Sequence, residues 1–382
     1  MFPVNKIVQV NEFIQAGGLG FVNFGKTCVF ALSAELTGGT QWPVKTFKTF
    51  NTTAELGAYF AETTETYKLA SRWFANKGGE LYLYLRDEAN DSVTTSANDA
   101  RGKKWFYNNL WTKDVTSVEG DVILLADWSD ANKSFFWMAS DNPDVADENK
   151  SDDIASVIIA KGNRHVAIGY RQAESVTTDS SQIYFMAGLA AEFAKVNYSG
   201  LQTAITGEFK SIIGAIAEDL SPSEITGLEK KKVVMYTITE EGDQVDMGVT
   251  LNTWTMSSYG EFIDDVINVD AMSSGLRVTC YNTFRKNKKV QLTPRGQAQQ
   301  IGAADALLKQ YFDNGVLGAG LLENPVTGEM EYAEFGYIIY TKPEDILKLN
   351  DADKRQRKMY PINAKVNLAR AGHSLVIDLT VQ

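Results

Sequence analysis

The sequence predicts a mixed α/β (α+β) protein: an α/β sheet body, a smaller C-terminal α+β domain, and extended β-arms near both ends. Three observations predict it. Apolar strand-like runs alternate with amphipathic helical segments through the first two thirds of the chain, which is typical of a largely parallel sheet. After residue 255 the pattern changes to longer helices and short strands. Short alternating segments lie next to glycines near the two ends.

We predict four regions along the chain. They are an N-terminal arm (1–20), an α/β body (21–255), a C-terminal domain (256–371) and a C-terminal β-arm (372–382). A glycine cluster ends the first region, and long amphipathic helices begin after the second. At about 150 residues per domain, 382 residues are enough for a body and a second domain.

The body elements are predicted from apolar periodicity. Segments that alternate in polarity or are apolar throughout predict strands at 28–32, 80–86, 121–128, 164–170, 233–239 and 245–251. Helical spacing predicts helices at 52–75, 181–195 and 203–218. The first helix has capping-box spacing at Thr52 and Glu55. The last two strands are expected to form a hairpin across 240–243.

The C-terminal domain is predicted to contain two helices and two closing strands. The first helix follows a capping-box spacing at Ser258 and Glu261. Its inner side would carry Phe262, Ile263, Val266 and Ile267, and its outer side Asp264 and Asp265. The second helix begins at Pro294 and ends at Gly315. Residues 362–368 and 375–381 alternate in polarity and predict strands.

The two ends share one design, an alternating segment next to glycines. The residues expected to form β-arms are Val8, Val10, Leu375, Ile377, Leu379 and Val381. The candidate hinges are Gly17, Gly18, Gly20 and Gly372. A terminal strand either pairs within its own domain or completes a neighbour's sheet by β-augmentation. The residue pattern leaves both arrangements open.

Composition restricts the partners. The net charge of −11 disfavours binding to duplex nucleic acid or anionic membranes. No apolar run approaches the ~20 residues that span a bilayer, and residues 1–13 do not resemble a secretion signal. Residues 275–382 carry 15 Lys and Arg against 11 Asp and Glu, whereas the rest carries 22 against 37. This asymmetry fits compositional drift or a basic C-terminal part that meets an acidic partner.

The sequence predicts no catalytic or cofactor site. Cys28 and Cys280 lie far apart in apolar surroundings, and neither His165 nor His373 has metal-ligand spacing. Segment 17–25 lacks the third glycine of a dinucleotide-binding loop, and phosphate-loop and nucleophile-elbow motifs are absent. We therefore expect no enzymatic activity, no metal and no cofactor. The enzymatic alternative is an unrecognised site that uses Asp127, His165 or Asp264.

Several segments, in order, carry a resemblance to a known family. Residues 47–87 (FKTFNTTAELGAYFAETTETYKLASRWFANKGGELYLYLRD) run from a phenylalanine-rich strand through a helix to a strand after Gly-Gly that closes with Arg86. Residues 257–270 (SSYGEFIDDVINVD) open the C-terminal part, which continues through NTFRKNKKV (282–290) and TPRGQAQQI (293–301). With its two arms, the chain resembles a bacteriophage contractile tail sheath protein of the myovirus type.

The resemblance implies an assembly function. Sheath subunits form stacked rings around an inner tail tube, exchange β-arms with neighbours, and contract on a baseplate signal to drive the tube through the host envelope for genome delivery. The implied partners are further copies of the chain, the tube protein, and baseplate and tail terminator proteins, with no nucleic acid and no membrane insertion. The implied location is the virion tail, after assembly in the host bacterial cytoplasm.

Two further expectations depend on the resemblance. The C-terminal domain would lie next to the tube, and its basic residues would face an acidic tube surface. They form a first basic cluster (Arg285, Lys286, Lys288 and Lys289) and a second basic cluster (Lys354, Arg355, Arg357 and Lys358). A solvated loop is the alternative for each cluster. Residues 88–160, the least recognisable stretch, would form an outward-facing variable part of the body.

Two structural alternatives remain beside a phage sheath. The chain is another tail or baseplate protein, or it is the sheath of a phage-like injection particle. The long α/β body disfavours a tube subunit, which would be smaller and mostly β.

Overall fold

The computed structural model describes residues 19–376, apart from the side chain of Met247. The chain divides into two compact units. The body unit contains Asn23–Ala271, Asn314–Val316 and the chain from Arg370 onward. The C-terminal unit contains Met272–Asp313, Leu317–Ala369 and the chain up to Val22.

A six-stranded sheet forms the centre of the body unit. Its strands are β1 (Thr27–Ala31), β2 (Phe47–Phe50), β3 (Leu81–Leu85), β4 (Asn108–Trp111), β5 (Phe135–Ser140) and β6 (Val166–Tyr170). Their order across the sheet is β2–β3–β1–β4–β5–β6. All neighbouring strands are parallel except the edge strand β2, which pairs antiparallel with β3. The predicted mixed fold with a largely parallel sheet is therefore confirmed.

Alternation along the strands builds an apolar core on each face of this sheet. Leu81 and Leu83 of β3 belong to one core, whereas Tyr84 belongs to the other. In the second core Phe30 of β1 stacks on Trp111 of β4, with ring centroids 3.8 Å apart. A parallel sheet is usually covered on both faces, and the buried strands here follow that rule.

Helices and one hairpin complete the body unit. The helices are α1 (Thr53–Gly57), α2 (Glu65–Ala75), α3 (Val93–Lys103), α4 (Lys113–Thr116), α5 (Glu119–Asn132), α6 (Ile154–Lys161), α7 (Ala173–Thr178), α8 (Phe185–Ala194) and α9 (Pro222–Lys230). The hairpin strands are β7 (Met235–Glu241) and β8 (Gln244–Leu251), which pair antiparallel. The predicted hairpin is confirmed, as is the helix at 181–195, which starts with a 3-10 turn.

The predicted continuous helix at 52–75 is wrong in its middle. Thr52 caps its start as expected, because its side chain accepts the Glu55 N–H at 3.3 Å. The helix stops at Gly57, however, and a second one starts after a new cap at Thr64. Between them the buried Phe60 pairs with Leu36 in an isolated β-bridge. This long-range pairing interrupts the helical pattern.

The strand predicted at 121–128 is a helix, α5. The run VILLADW is apolar enough for either structure. The buried residues of α5 are Val122, Leu125, Ala126, Trp128 and Ser129. Each lies three or four positions from another member of this set, which is the helical period. The helical period therefore decides the outcome.

Residues 203–218 form an ordered loop and not the predicted helix. Side chains from outside the loop bind its backbone. Arg72 Nη1 donates to the Ile213 carbonyl at 3.1 Å, and Arg171 Nη2 donates to the Ile216 carbonyl at 2.6 Å. Gly214 adopts φ +82°, which favours glycine. Because buried polar partners satisfy the backbone groups, the segment does not need helical hydrogen bonds.

The stretch 88–160 contributes to the centre of the sheet. It supplies α3, β4, α5, β5 and α6, and both β4 and β5 are buried along their whole length. This part of the chain is thus integral to the core and not an appended insertion. The direction in which its surface faces in an assembly stays a prediction.

Helices and two small sheets form the C-terminal unit. Its elements are the later part of α10 (Ile263–Lys286), α11 (Pro294–Asn314), β9 (Gly320–Glu323), β10 (Met330–Ala333), β11 (Tyr337–Ile339), α12 (Asp351–Arg355) and β12 (Ala364–Val366). β9 pairs with β10 and β11 with β12, both antiparallel. The helix predicted to run from Pro294 to Gly315 is confirmed, and Gly315 adopts φ +92°.

Two predicted boundaries in the C-terminal half are wrong. Ser258 does not cap a helix, because α10 starts only at Ile263 and Glu261 instead binds Arg164 Nε and Nη2. The strand predicted at 362–368 is limited to β12, followed by an isolated bridge between Leu368 and Leu317. In both places a tertiary contact replaces the local pattern.

A buried histidine connects the sheet to the first turns of α10. His165 lies just before β6, with Nδ1 2.8 Å from Asp130 Oδ1 and Nε2 2.8 Å from Asp270 Oδ2. Tyr107 also donates to Asp270, at 2.9 Å. Both ring nitrogens face carboxylates, which stabilises the imidazolium form, in which both nitrogens donate. Burial alone would lower the pKa of His165, but the two carboxylates outweigh it and raise the pKa.

We expect this network to make stability depend on pH. The folded pKa of His165 is raised above its unfolded value of about 6.5. Its contribution to stability is therefore complete below about pH 6.5 and is lost as pH rises through the folded pKa. Urea unfolding of the full chain between about pH 6 and about pH 9 measures this loss.

His165→Gln is the control, since glutamine does not titrate. It should be less stable by about 3–5 kcal/mol at about pH 6, because it leaves buried carboxylates without their cation. Its stability should also fall less steeply with pH. Parallel pH profiles for the two proteins would contradict the role given to His165.

Candidate assembly interface

The end of the predicted N-terminal arm (1–20) is fixed to the C-terminal unit by one asparagine. Asn282 of α10 accepts the Leu19 N–H at 2.7 Å and donates to the Leu19 carbonyl at 2.8 Å. The side chains of Leu19 and Phe21 are more than half exposed. Gly20, a predicted hinge, is exposed and has open space where a Cβ would lie. The predicted hinge therefore adjoins a fixed point.

The chain leading to the predicted C-terminal arm is fixed to the body unit by two side chains. Arg370 Nε donates to Asp265 Oδ2 at 2.9 Å. His373 Nε2 lies 3.0 Å from Thr206 Oγ1, and its ring meets Phe262 edge-on with centroids 4.7 Å apart. We call these contacts of Arg370 and His373 the C-terminal clamp.

Gly372 lies between the two anchored residues of the clamp. It is exposed and has open space where a Cβ would lie. The described residues after His373 are exposed, with Leu375 82% and Val376 84% exposed. Residues 374–376 are therefore the first part of the C-terminal end that is available to a partner. The hinge role of Gly372 stays a prediction.

The clamp covers carboxylates that the sequence predicted to face solvent. That prediction is wrong, because Asp264 and Asp265 are buried, with 8% and 6% exposure. Burial, together with the Asp265 carboxylate, raises the pKa of Asp264 to about 7. Burial also raises the pKa of Asp265, although Arg370 opposes it. Arg370 thus supplies the positive charge that a buried carboxylate pair requires.

Several predicted arm residues lie outside the described residues. They are Val8, Val10, Gly17, Gly18, Ile377, Leu379 and Val381. Their roles stay predictions.

The first basic cluster lies at the end of α10 and just beyond it. Arg285, Lys286, Lys288 and Lys289 are all exposed. Within residues 19–376, no ion pair involves Lys286, Lys288 or Lys289. These three lysines therefore present positive charge at the surface without an ion-pair partner among the described residues.

The second basic cluster lies in and after the short helix α12 and is also exposed. Acidic residues of the same segment partly neutralise it. Lys354 lies 3.7 Å from Asp351, and Lys358 lies 3.5 Å from Asp353. Arg355 and Arg357 are the members for which no ion pair occurs among the described residues. This cluster is the less strongly charged of the two.

Small sheets of the C-terminal unit offer edges for further strands. In the described part of the chain, β9–β10 and β11–β12 are sheets of only two strands each. Leu321, Met330 and Tyr332 on the first sheet are more than half exposed. A two-stranded sheet with exposed apolar side chains is marginal by itself, so pairing with an additional strand would stabilise it.

The three candidate catalytic residues are each engaged in structural contacts. His165 bridges two carboxylates, Asp127 binds Lys161 at 3.1 Å and Asn163 at 3.2 Å, and Asp264 is buried. A polar cavity of about 340 Å³ opens at the carboxyl ends of β4 and β5, beside Lys113 and Asp141. Among residues 19–376 no three His, Cys, Asp or Glu side chains are grouped to hold a metal ion.

The described helices also include none that is both long and apolar enough to cross a bilayer.

Sequence reasoning missed the residues that fix the two ends. Asn282, Arg370 and His373 each act through a partner more than 100 positions away. The one available signal was the placement of Arg370 and His373 on either side of Gly372, before the alternating segment.

The family comparison covers the part of the chain that contains these features. Residues 263–381 match the family model described as E217 tail sheath protein gp31-like, C-terminal domain. This segment is therefore similar to a tail sheath C-terminal domain. It starts at the first residue of α10 and includes both basic clusters, Asn282 and the C-terminal clamp. The resemblance to a contractile tail sheath protein is confirmed.

Solved structures extend the similarity to the whole fold. The chain resembles a subunit of the anti-feeding prophage helical sheath in its contracted state, with a TM-score of 0.65 and 16% identity over 98% of each chain. It also resembles a chain of the six-fold anti-feeding prophage baseplate (TM-score 0.64, 14% identity, 98% of each chain). A chain of the contracted baseplate gives 0.65 and 12% over 100% of this chain and 98% of the other. At this identity the similarity concerns the fold alone.

None of the curated protein sequences compared with this chain is significantly similar to it. The family-model match over residues 263–381 therefore provides the evidence for the family, and the solved structures provide the evidence for the fold.

We expect loss of the clamp to release the segment that follows the bridge between Leu317 and Leu368. His373→Ala removes the contacts with Thr206 and Phe262. Amide hydrogen exchange should then accelerate by at least about tenfold in peptides covering 366–376, because a loss of about 1.4 kcal/mol of local protection corresponds to that factor. Exchange in β1 and β3 should not change.

Ser374→Ala is the matched control, since it alters an exposed neighbour of His373. It should exchange like the unmodified chain. Unchanged exchange in His373→Ala as well would mean that His373 does not hold this segment.

Proposed function

We propose that this chain is a structural subunit of a contractile tail sheath. It would polymerise as stacked rings around a tail tube and shorten to drive the tube through a host envelope. The observation that carries this proposal is the sheath C-terminal domain at 263–381, together with whole-chain fold similarity to a contracted helical sheath. The family is structural, which favours a role without catalysis.

Strand exchange between copies is the proposed link within the polymer. Both ends are anchored to their own subunit, at Leu19 and at His373, and the exposed Leu375 and Val376 lead away from the second anchor. A strand at 375–381 would add about four to six hydrogen bonds, each worth ~0.5–1.5 kcal/mol net. The two-stranded sheets of the C-terminal unit are candidate acceptors for such a strand.

The anchors at Leu19 and His373, together with the nearby glycines, suit a polymer that changes shape. The anchors would hold each arm's origin to its subunit, while the predicted hinges, including Gly20 and Gly372, would absorb rotation between subunits. The bonded strands would then remain paired during contraction. No nucleotide would be consumed, because the energy would be stored in the extended sheath at assembly.

For the tube contact we propose the second basic cluster. It is exposed and partly neutralised by Asp351 and Asp353. Exposed ion pairs contribute about 0–1 kcal/mol each and are screened by salt. A weak contact of this kind suits a sheath that must hold the tube and then release it.

The particle would be a phage tail or a phage-like injection particle. The neighbours by fold belong to the anti-feeding prophage, in both its sheath and its baseplate. The baseplate matches favour, as a second candidate, a sheath-like subunit located at the baseplate. In either case the partners would be further copies of the chain with tube, baseplate and terminator proteins, assembled in the host cytoplasm.

Removal of residues 374–382 should abolish polymers and leave the fold intact. This truncation keeps His373, so the contacts of the C-terminal clamp remain. We expect tubular polymers of the full chain in negative-stain micrographs and only discrete particles of the truncated chain. Thermal unfolding of both proteins is the control for folding.

Polymers of equal length and number from the truncated chain would contradict strand exchange at this end. Discrete particles of the full chain under all assembly conditions would contradict the sheath function itself.

Charge reversal in the second cluster should weaken tube attachment. Arg355→Glu with Arg357→Glu changes the local charge by four units on an exposed segment. Co-sedimentation with purified tail tubes at low salt should fall by at least about tenfold, since reversed charges repel an acidic surface. Undiminished co-sedimentation would exclude this cluster from the tube contact.

A further inference from the structure

One segment of the chain departs from its overall acidity. Between Asp270 and Asp305 there are six Lys and Arg and no Asp or Glu, although the whole chain has a net charge of −11. The six basic residues are Arg277, Arg285, Lys286, Lys288, Lys289 and Arg295. This segment contains the first basic cluster and the second half of α10.

Apolar and basic side chains share the outer side of α10. Arg277, Tyr281, Phe284 and Arg285 follow one another at intervals that place them on one side of a helix. All four are exposed, and the rings of Tyr281 and Phe284 are each 47% exposed. We call these four residues, with Lys286, Lys288 and Lys289, the α10 face.

Packing on the opposite side fixes the orientation of this face. Gly275 lies against α11, where a Cβ would come within 3.1 Å of Leu307 and 3.2 Å of Tyr311. Val278 is also buried. Because the inner side packs closely, α10 cannot turn to cover Tyr281 and Phe284. Two exposed aromatic rings within a basic rim have the composition of an interface with an acidic partner.

The body unit carries a surface of the opposite charge. In the loop 141–153, six of the thirteen residues are Asp or Glu and one is Lys. Asp147, Glu148 and Asp152 are exposed, and no ion pair involves them within residues 19–376. Val145 and Ala146 are buried, and a Cβ on Gly227 would meet the Ala146 carbonyl at 2.0 Å. The loop is therefore an acidic surface held against the body.

We infer that the α10 face docks on the 141–153 loop of a second copy of this chain. Every copy carries both charged surfaces, so its α10 face can bind the loop of one neighbour while its own loop binds the α10 face of another. Such a head-to-tail contact uses two different surfaces and generates rings or helical polymers. Tyr281 and Phe284 would supply the desolvated anchors, and the surrounding charges would supply orientation and a fast approach.

This inference rests on the proposed homopolymer and adds a contact to it that does not involve the arms. It assigns the first basic cluster to a neighbouring subunit and leaves the tube contact to the second. The two contacts are separable by experiment, because strand exchange depends on residues 374–382 and docking depends on charge.

Charge reversal on either surface should weaken self-association, and reversal on both should restore it. The face variant is Lys288→Glu with Lys289→Glu, and the loop variant is Asp147→Lys with Glu148→Lys. Sedimentation velocity of the full chain at about 50 mM salt measures self-association. We expect each variant to associate at least about tenfold more weakly, and the combined variant to return to within about threefold of the unmodified chain.

Two controls separate this effect from total charge and from folding. Arg355→Glu with Arg357→Glu changes the charge by the same four units as the face variant but lies in the second cluster, so it should leave self-association unchanged. Thermal midpoints of all variants should agree, because the altered residues are exposed. Phe284→Ala should weaken association at high salt as well as at low salt, since it removes an apolar anchor.

Three results would overturn the inference. The first is a face variant that self-associates like the unmodified chain. The second is a combined variant that is not restored, which would exclude the loop as the partner. The third is a face variant whose self-association is unchanged while its binding to purified tubes falls, which would assign the face to the tube. A chain truncated after His373 that forms no tubular polymers but keeps charge-dependent self-association would support both the arm link and the docking contact. Tubular polymers from the truncated chain, with the same charge dependence, would contradict the arm link alone.

Discussion

The first turns of α10 are the constraint on which the structure depends. Within three helical turns, Asp270 neutralises His165 in the interior, Asp265 binds Arg370, and Phe262 supports the ring of His373 from just before the helix. Each contact takes charge or apolar surface out of water, so each is costly to break. The same helix later carries Asn282, which binds the backbone at the other end of the chain. One helix thus contributes contacts to the described residues nearest both ends, Leu19 and Arg370.

This arrangement explains how an acidic α/β protein could serve as a building block. The central strands of the sheet lie between two apolar cores, and several helices of the body begin at side-chain caps. Among the described residues, exposed apolar and charged side chains lie elsewhere: next to the two ends, on the small sheets and in the charged surfaces. A polymer that must contract without dissociating benefits from this division, because rigid units transmit force and the joints between them absorb rotation.

Local patterns in the sequence were sufficient where the neighbours in space are also neighbours in sequence. The alternation of Leu81 to Leu85 predicted β3 and its two faces, and the strand-like runs on either side of 240–243 predicted the β7–β8 hairpin. They failed where distant side chains intervene. The loop at 203–218 is apolar enough for a helix, but Arg72 and Arg171 bind its carbonyls instead. Phe60 lies within the helix predicted at 52–75, but it forms a β-bridge to Leu36 in the break between α1 and α2.

For the candidate interface, the sequence by itself determined the type of fold, the opposite charges of the two parts of the chain, the basic clusters and the alternating ends. These follow from composition and periodicity, which are local properties. Only the tertiary structure decided that Asp264 and Asp265 are buried, that Arg370 and His373 hold the C-terminal end, and that Asn282 holds Leu19. Those contacts join residues more than 100 positions apart, and a single sequence contains no periodic signal for a pairing that the packing of the core brings about.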